Sequence, residues 1–374
     1  MKKLQRTSLF IILSITFFTT LLYAVSAIVM KISKVKETTK IAIKPADLRK
    51  PEERRESGAE RWTPTEIITV SAAGDVTIGR DEAYPYPFSF EHEVMKNGKA
   101  FFGKHIRAIF NRDDLTIVNL ETTLTTATAK ATKTFRFRGK PEYVQILTLS
   151  GIDAVNLANN HTHDYLREGY EDTIKNLQKY HIGYFGYDNK YMKTIKGIKI
   201  GLLGYEGWEN SEKLQRTIAR DIAELRGRGT QIVIVSFHWG VERSYYPNRT
   251  QKALGRYAVE RGADLVLGHH PHVMQGIEEY KGKFIVYSLG NFMFGGNKNP
   301  KDKDTFIFQQ TFYVKNGSLT GEQEIRIIPC YISSVKERNN YQPLPLKGVE
   351  AERVRARLKA YSRNLGELDW STIK

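Results

Sequence analysis

Five times between Ile67 and His272, a short apolar run of β type stops abruptly at a carboxylate, an amide or an imidazole. No other feature of the chain constrains its fold as much. Residues 67–73 end in Gly74-Asp75, residues 115–118 in Asn119-Leu120-Glu121, and residues 152–155 lead to Asn160-His161 and Asp164. Residues 232–237 end in His238-Trp239-Gly240-Val241-Glu242, and residues 264–267 in Gly268-His269-His270-Pro271-His272. Runs this apolar read as strands covered on both faces. Amphipathic stretches of helical spacing alternate with them, at 100–110, 142–149, 166–180, 212–225 and 251–261. That alternation predicts an α/β domain with buried, partly parallel strands. In open α/β sheets ligands bind beyond the carboxyl ends of the strands, so the five polar endings predict one composite site.

Taken singly, each ending has an ordinary structural explanation. Asp75 after Gly74 reads as a strand-end turn, Asn119 and Glu121 as capping or loop residues, and His238 as a structural histidine. Jointly they do not, because six of the nine histidines (His161, His163, His238, His269, His270 and His272) fall at strand ends. Carboxylate, imidazole and amide oxygen together form a donor set for a divalent transition ion such as Mn, Fe or Zn. One such ion, or two sharing a carboxylate, would supply hydroxide near neutral pH. In His270-Pro271-His272 the i, i+2 spacing predicts both rings on one side of an extended backbone. Asp164 and Glu242 are candidates to orient a ligand histidine or a water. No serine-nucleophile elbow, Walker loop or strand-turn Gly-x-Gly-x-x-Gly is present.

The chain has 374 residues. After a basic leader, residues 1–7, residues 8–30 carry no charge and are long enough to cross a ~30 Å hydrocarbon layer. A single-pass anchor with the bulk of the chain extracytoplasmic is the favoured expectation. A cleaved signal peptide competes, with Val25-Ser26-Ala27 as its cleavage site. Lysines on both flanks leave the positive-inside rule nearly silent on orientation. Residues 31–64, with three prolines and many charges, read as a linker, residues 65–335 as the folded domain, and 336–374 as a basic helix and tail. Past residue 267 the texture changes to closely spaced β runs at 273–277, 284–288, 305–314 and 324–331. Net charge is +16, of which +10 lies beyond residue 60, which favours an anionic partner such as an acidic polymer or a lipid surface. A nucleic-acid partner is disfavoured, because no recognition motif accompanies the charge. The single cysteine, Cys330, excludes a disulfide framework and a cysteine-based metal cluster.

Several motifs, in order and spacing, resemble the CapA family of capsule and poly-γ-glutamate biosynthesis proteins. They are Gly74-Asp75-Val76-Thr77-Ile78-Gly79-Arg80, Asn119-Leu120-Glu121-Thr122, Ala158-Asn159-Asn160-His161, Ser236-Phe237-His238-Trp239-Gly240, Gly268-His269-His270-Pro271-His272 and Tyr287-Ser288-Leu289-Gly290-Asn291-Phe292. That family is in turn similar to calcineurin-like metallophosphoesterases, which implies a layered α/β sandwich. The resemblance implies Asp75, Glu121, Asn160, His161, His238, His270 and His272 as metal ligands; were the site a hydrolase, His161, Asp164 and Glu242 would help transfer protons. Thr77, Arg80, Asn119, His163, His269 and Asn291 become supporting or substrate-facing residues. It also implies an anchored component of a polymer synthase, working with ligase and membrane subunits, or else a metal-dependent hydrolase of a phosphoester or γ-amide. Two departures stand out: Thr77 occupies a histidine position of the phosphoesterase pattern, and Glu121 replaces its bridging aspartate.

Overall fold

Alternation along β1 (Glu66–Thr77) sets the architecture: Ile68, Val70 and Ala72 join one apolar cluster, while Ala73 and Val76 join another. The computed structural model describes residues 65–366 and 368–374. β1 lies inside an eight-stranded sheet ordered β17 (Leu344–Pro345), β16 (Ser318–Tyr331), β15 (Asp304–Lys315), β1, β3 (Leu115–Leu120), β6 (Ala154–Asn156) and β7 (Gly183–Phe185), with β14 (Asn291–Phe294) also pairing β1. β1, β3, β6 and β7 run parallel, and β15, β16 and β17 continue antiparallel. A second sheet of six is ordered β12 (Ile277–Tyr280), β13 (Lys283–Val286), β11 (Leu265–His269), β10 (Ile232–Trp239), β9 (Ile198–Gly207) and β8 (Tyr191–Ile195), with β9, β10, β11 and β13 parallel. A small third sheet joins β2 (Arg80–Asp81), β5 (Phe137–Gly139) and β4 (Thr123–Leu124).

The two large sheets face each other across one core, to which Ile68, Ile117 and Ala154 contribute from the first and Ile200, Ile234 and Leu267 from the second. The outer face of the first sheet is covered by the helices Phe90–Asn97, Val144–Ser150 and Leu166–Lys179, through Phe90, Leu147 and Leu177. Helices Glu212–Gly227 and Arg249–Arg261 cover the second sheet through Ile218, Ile222, Leu254 and Ala258. Each fully buried aliphatic side chain adds about 1.5–3 kcal/mol, so both faces of both sheets must be covered, and a layered α/β sandwich results.

Two expectations change in detail, and one helix is added. Residues 100–110 form a 3-10 turn, Lys99–Phe101, and a one-turn helix, Arg107–Phe110, rather than one helix. Gly98 ahead of them, at φ 76°, and Gly103, whose missing Cβ lets Ser150 approach, break the run. Residues 273–276 contribute a single bridge, Met274 to Leu289, and the strand starts at Ile277. The helix Phe90–Asn97 went unforeseen, although Ser89 caps it by accepting from His92 N. No helix among the described residues is long and apolar enough to cross a membrane, and the apolar stretch 8–30 lies outside them.

Candidate metal centre

Strand parity and one bulge bring the polar endings together. In β10, Ile232 and Ile234 face the inter-sheet core, so Ser236 and His238 share that face. The same rule puts Asn119 on the side of Ile117, Asn156 on that of Ala154, and His269 on that of Leu267. β1 would send Asp75 to the opposite face. Its register against β3 shifts between Ala72, opposite Ile117, and Asp75, opposite Asn119, so one extra residue flips the parity and turns Asp75 inward. Gly74 makes room for this: a Cβ there would stand 1.9 Å from the Gly290 carbonyl oxygen, which accepts from Asp75 N at 2.9 Å.

Asn119 is the hub. Its Nδ2 donates to Asp75 Oδ1 at 2.8 Å and meets His238 Nδ1 at 3.3 Å, while its Oδ1 accepts from Asn156 and Asn159. His272 Nδ1 stands 3.1 Å from Asp75 Oδ2 and 3.0 Å from Asn291 Oδ1. His238 Nε2 lies 2.8 Å from Asn160 Oδ1. Glu121 is held by its backbone, with its N–H on Val76 O and its carbonyl accepting from Thr77 Oγ1 at 3.0 Å. Thr77 therefore braces the Glu121 main chain.

The Glu121 carboxylate tests whether an ion fits. It is fully buried, and among the described residues neither oxygen has a hydrogen-bond partner. His238 Nε2 and His272 Nε2 stand 3.7 Å from its Oε1, and His161 Nε2 stands 3.9 Å away. These gaps are too long for hydrogen bonds. They match ligands of one ion, since two atoms each ~2.1 Å from a metal stand roughly 3.4 Å apart at a tetrahedral angle. Donor atoms within 4.8 Å of one another come from Glu121, His238 and His270, from Asp75, Glu121 and His272, and from Glu242, His270 and His272. Among the described residues His270 Nδ1 and His269 Nε2 are further buried atoms without partners, and His269 Nδ1 stands 3.5 Å from Asp75 Oδ1. The donor set fits a divalent metal, with Glu121 shared between an imidazole-rich half (His238, His270, Asn160) and a carboxylate-rich half (Asp75, His272).

Electrostatics follow from this crowding. Burial alone would raise the Asp75 carboxyl, but hydrogen bonds and charge from His269 and His272 hold it well below the usual range. Glu121 goes the other way: burial raises it and His272 offsets only part. Burial also lowers His161, His238 and His270, the last to about 4. For His272 burial acts downward, yet Glu121 and Asp75 carry it up to about 9.

His161 has its own support. Asp164 Oδ2 lies 2.7 Å from His161 Nδ1 and accepts from Phe137 N at 2.6 Å, while Asp164 Oδ1 accepts from Lys133 Nζ at 2.7 Å. With both carboxylate oxygens accepting, Nδ1 carries the ring proton and Nε2 faces Glu121 with its lone pair. Lys133 carried no signal in the sequence: it lies in the loop between β4 and β5, far from Asp164 along the chain, and the fold lays that loop on Asp164, where Ala131 N–H also donates to the Asp164 carbonyl at 2.9 Å.

The remaining expectations divide. Glu242 is exposed at the mouth beside His270 and His272. Arg80 is not brought to the cluster: its guanidinium bonds Glu91 and the carbonyls of Asp81, Glu82 and Tyr84. His163 is exposed against the rings of Tyr170 and Tyr187. The backbone at His270 and His272 is not extended, with φ of 93° and 58°. The rings converge to 5.8 Å because the chain kinks on either side of Pro271, a conformation that costs of order 1–3 kcal/mol per residue. Trp208, just past β9, was unforeseen: 42% exposed, it sets its ring edge-on to His270 at 4.7 Å and to His238 at 5.6 Å. A cavity of about 500 Å³ opens onto His161 and His272, walled by Tyr84, Phe135, Phe137 and Phe294.

The family described as bacterial capsule synthesis protein PGA_cap matches residues 69–296. The PGA biosynthesis protein CapA of Bacillus subtilis is 30% identical over 289 residues, covering 71% of this chain and 72% of that protein. The capsule biosynthesis protein CapA of Bacillus anthracis is 28% identical over 256 residues, and the match covers 61% of this chain and 60% of that relative. A probable polyglutamine synthesis accessory protein of Mycobacterium tuberculosis is 23% identical over 361 residues, covering 80% and 93%. The crystal structure of a novel phosphatase from Mycoplasma pneumoniae aligns at a TM-score of 0.44 and 15% identity, covering 71% of this chain and 95% of that one. From β1 to the segment after β14, through every strand end that builds the cluster, the matched region takes in most of the folded chain, which therefore belongs to the bacterial capsule synthesis protein PGA_cap family.

Proposed function

We propose that this chain is a component of capsule biosynthesis of the poly-γ-glutamate kind, and that its metal-type centre handles the acidic polymer during export or attachment. The observation that carries the reading is the fully buried, partnerless Glu121 carboxylate ringed by three imidazole nitrogens, an arrangement costly to fold without an ion. In this reading the chain is held at the cell membrane by residues 8–30, the domain lies outside, and ligase and membrane subunits of a synthase are its partners. Family membership and the basic balance support it.

A second reading, favoured by the Lys133–Asp164–His161 chain of contacts, makes the centre a hydrolase of metallophosphoesterase type, cutting a γ-amide or phosphoester of the surface polymer. A bound divalent ion, of Mn, Fe or Zn type, would lower the pKa of water and polarise the bond to be cut. Glu121, Asn160, His238 and His270 would hold it, with Asp75 and His272 available to a second. His161, fixed by Asp164 at Nδ1, presents Nε2 as the proton acceptor or donor at the reacting atoms. Glu242 stands at the entrance, where it can exchange protons with solvent.

Metal analysis of the full-length protein, followed by incubation with γ-linked polyglutamate and with a phosphodiester, tests both readings. Bound transition metal with polymer binding but no cleavage supports the first alone. Cleavage lost in H161A and H270A supports the second. Absence of metal together with unchanged surface polymer in a deletion strain would overturn both.

A further inference from the structure

Around the mouth of the cavity, nearly every cation is already committed inside the protein. Lys133 is spent on Asp164 and the Asn160 carbonyl, and Arg136 on the carbonyls of Ala131 and Lys133. Arg138 bonds the Ala127 carbonyl and lies over the Tyr165 ring, Lys130 pairs with Glu82, and Lys298 bonds the Pro85 and Pro87 carbonyls. Two cations lining the cavity differ. Arg243 and Lys301 are exposed, and among the described residues neither side chain has a hydrogen-bond or ion-pair partner.

The acids beside them do not cancel this charge. Asp302 follows Lys301 in the wall, but its carboxylate is taken by Arg357, with Nη1 donating to Oδ1 at 3.0 Å and Nη2 to Oδ2 at 2.6 Å. Glu242 precedes Arg243, but one of its carboxylate oxygens lies within 4.8 Å of a ring nitrogen of His270 and of His272, on the side of the cluster. The Arg243 main chain is fixed: its φ is 62° and its N–H donates to the Pro271 carbonyl at 2.8 Å, which pins the loop after β10 against the kinked turn that carries the two histidines. The wall of the same cavity is also aromatic, with Phe137 and Phe294 buried and Phe135 half exposed.

We propose that Arg243 and Lys301 form a carboxylate subsite that seats an acidic amino-acid chain across the cavity, with Phe135, Phe137 and Phe294 taking its methylene groups. The assignment rests on the polymer-handling function proposed above and names the residues that would select the polymer. A γ-linked glutamate chain carries one free α-carboxylate per residue on a spacer of two methylenes, matching cations at the rim and rings in the wall. Arginine's planar fork suits a carboxylate in two-point contact, which lysine cannot copy. A polyphosphate would use the cations and leave the aromatic wall without a partner.

Calorimetric titration of the metal-loaded full-length protein in detergent, with a γ-linked glutamate oligomer and with a polyphosphate of equal charge, tests the proposal. Variants R243A/K301A and R243K are compared with K213A, a control at an exposed lysine of the Glu212–Gly227 helix that does not line the cavity. The expected result is at least tenfold weaker oligomer binding in R243A/K301A, no full recovery of the arginine's share in R243K, and unchanged binding in K213A. Manganese binding, measured separately, stays at the wild-type level in all of them. Oligomer affinity within twofold of wild type in the double variant overturns the subsite and leaves the polymer-handling function standing. Tighter binding of polyphosphate than of the glutamate oligomer by the wild type overturns the choice of carboxylate. Failure of the wild type to bind the oligomer at all overturns both the subsite and the function on which it rests.

Discussion

The place of Glu121 in the fold costs stability. A buried carboxylate without a hydrogen bond costs the fold, and its neutral isostere costs less. Glu121→Gln is therefore expected to melt higher than the wild type without metal, by about 1–3 kcal/mol, and to lose at least tenfold in manganese affinity. Opposite signs in a thermal melt and a metal titration are the signature; a loss in both would assign Glu121 an ordinary structural role. Asp113 offers a separate pH test away from the cluster. Burial lifts its carboxyl from 3.8 to about 7, with Thr116 and Ser71 opposing, and its Oδ1 has no partner. The folded protein thus holds this proton more tightly than the unfolded chain, so stability falls as pH rises from about 4 to about 7 and then levels. Discounted for partial exposure, the penalty is about 1–2 kcal/mol. The advantage of Asp113→Asn over wild type should grow between pH 4 and pH 8 in paired melts, and a constant difference would rule the assignment out.

At the scale of elements, the bulge in β1 and the turn at Gly290 form one joint. Gly74→Ala would drive a Cβ into the Gly290 carbonyl, separating β1 from β14 and displacing both Asp75 and Asn291. A loss of roughly 3 kcal/mol or more by denaturant unfolding is expected, together with weakened metal binding. The helix Gly348–Ser362 is tied to the start of β15 by Arg353, bidentate on Asp304, and by Arg357 on Asp302 and Asp304. Arg357→Ala leaves Asp302 short of its partner and loosens Tyr245 and Tyr361, which stack at 5.3 Å under the guanidinium. With the arginine partly exposed, about 1–3 kcal/mol should be lost in urea unfolding, and Asp302→Asn in the same background should recover part of it. If the added asparagine has no effect, packing rather than charge holds the helix.

For the molecule as a whole, the cluster ties both sheets together, so an ion should act as a cross-brace. An ion that binds the folded chain and not the unfolded one stabilises it by mass action, so manganese at 100 times its Kd is expected to raise stability by about 2.7 kcal/mol, reversed by chelation. A melting temperature insensitive to both manganese and chelator would argue against a metal centre. Much of the sandwich was legible because burial on both faces writes itself into runs such as residues 232–237, and helices such as Leu166–Lys179 announce their spacing. The clustering of Asp75, Glu121, Asn160, His161, His238, His270 and His272 was legible for the same reason: parallel strands end on one edge. What escaped the sequence were contacts made by folding distant segments over that edge, Lys133 onto Asp164 and Trp208 onto His270.

By itself the sequence determined which residue types stand at the strand ends and that those ends share a side, because apolar periodicity and strand direction are local properties. Only the tertiary structure decided which side chains point inward and which are already spent. A one-residue bulge turned Asp75 toward Asn119, a left-handed kink aimed His270 and His272, and Arg80 was drawn away to Glu91. The physical reason is that facing and pairing depend on register and on the neighbours each group finds across a long sequence separation, and neither is encoded within a single run.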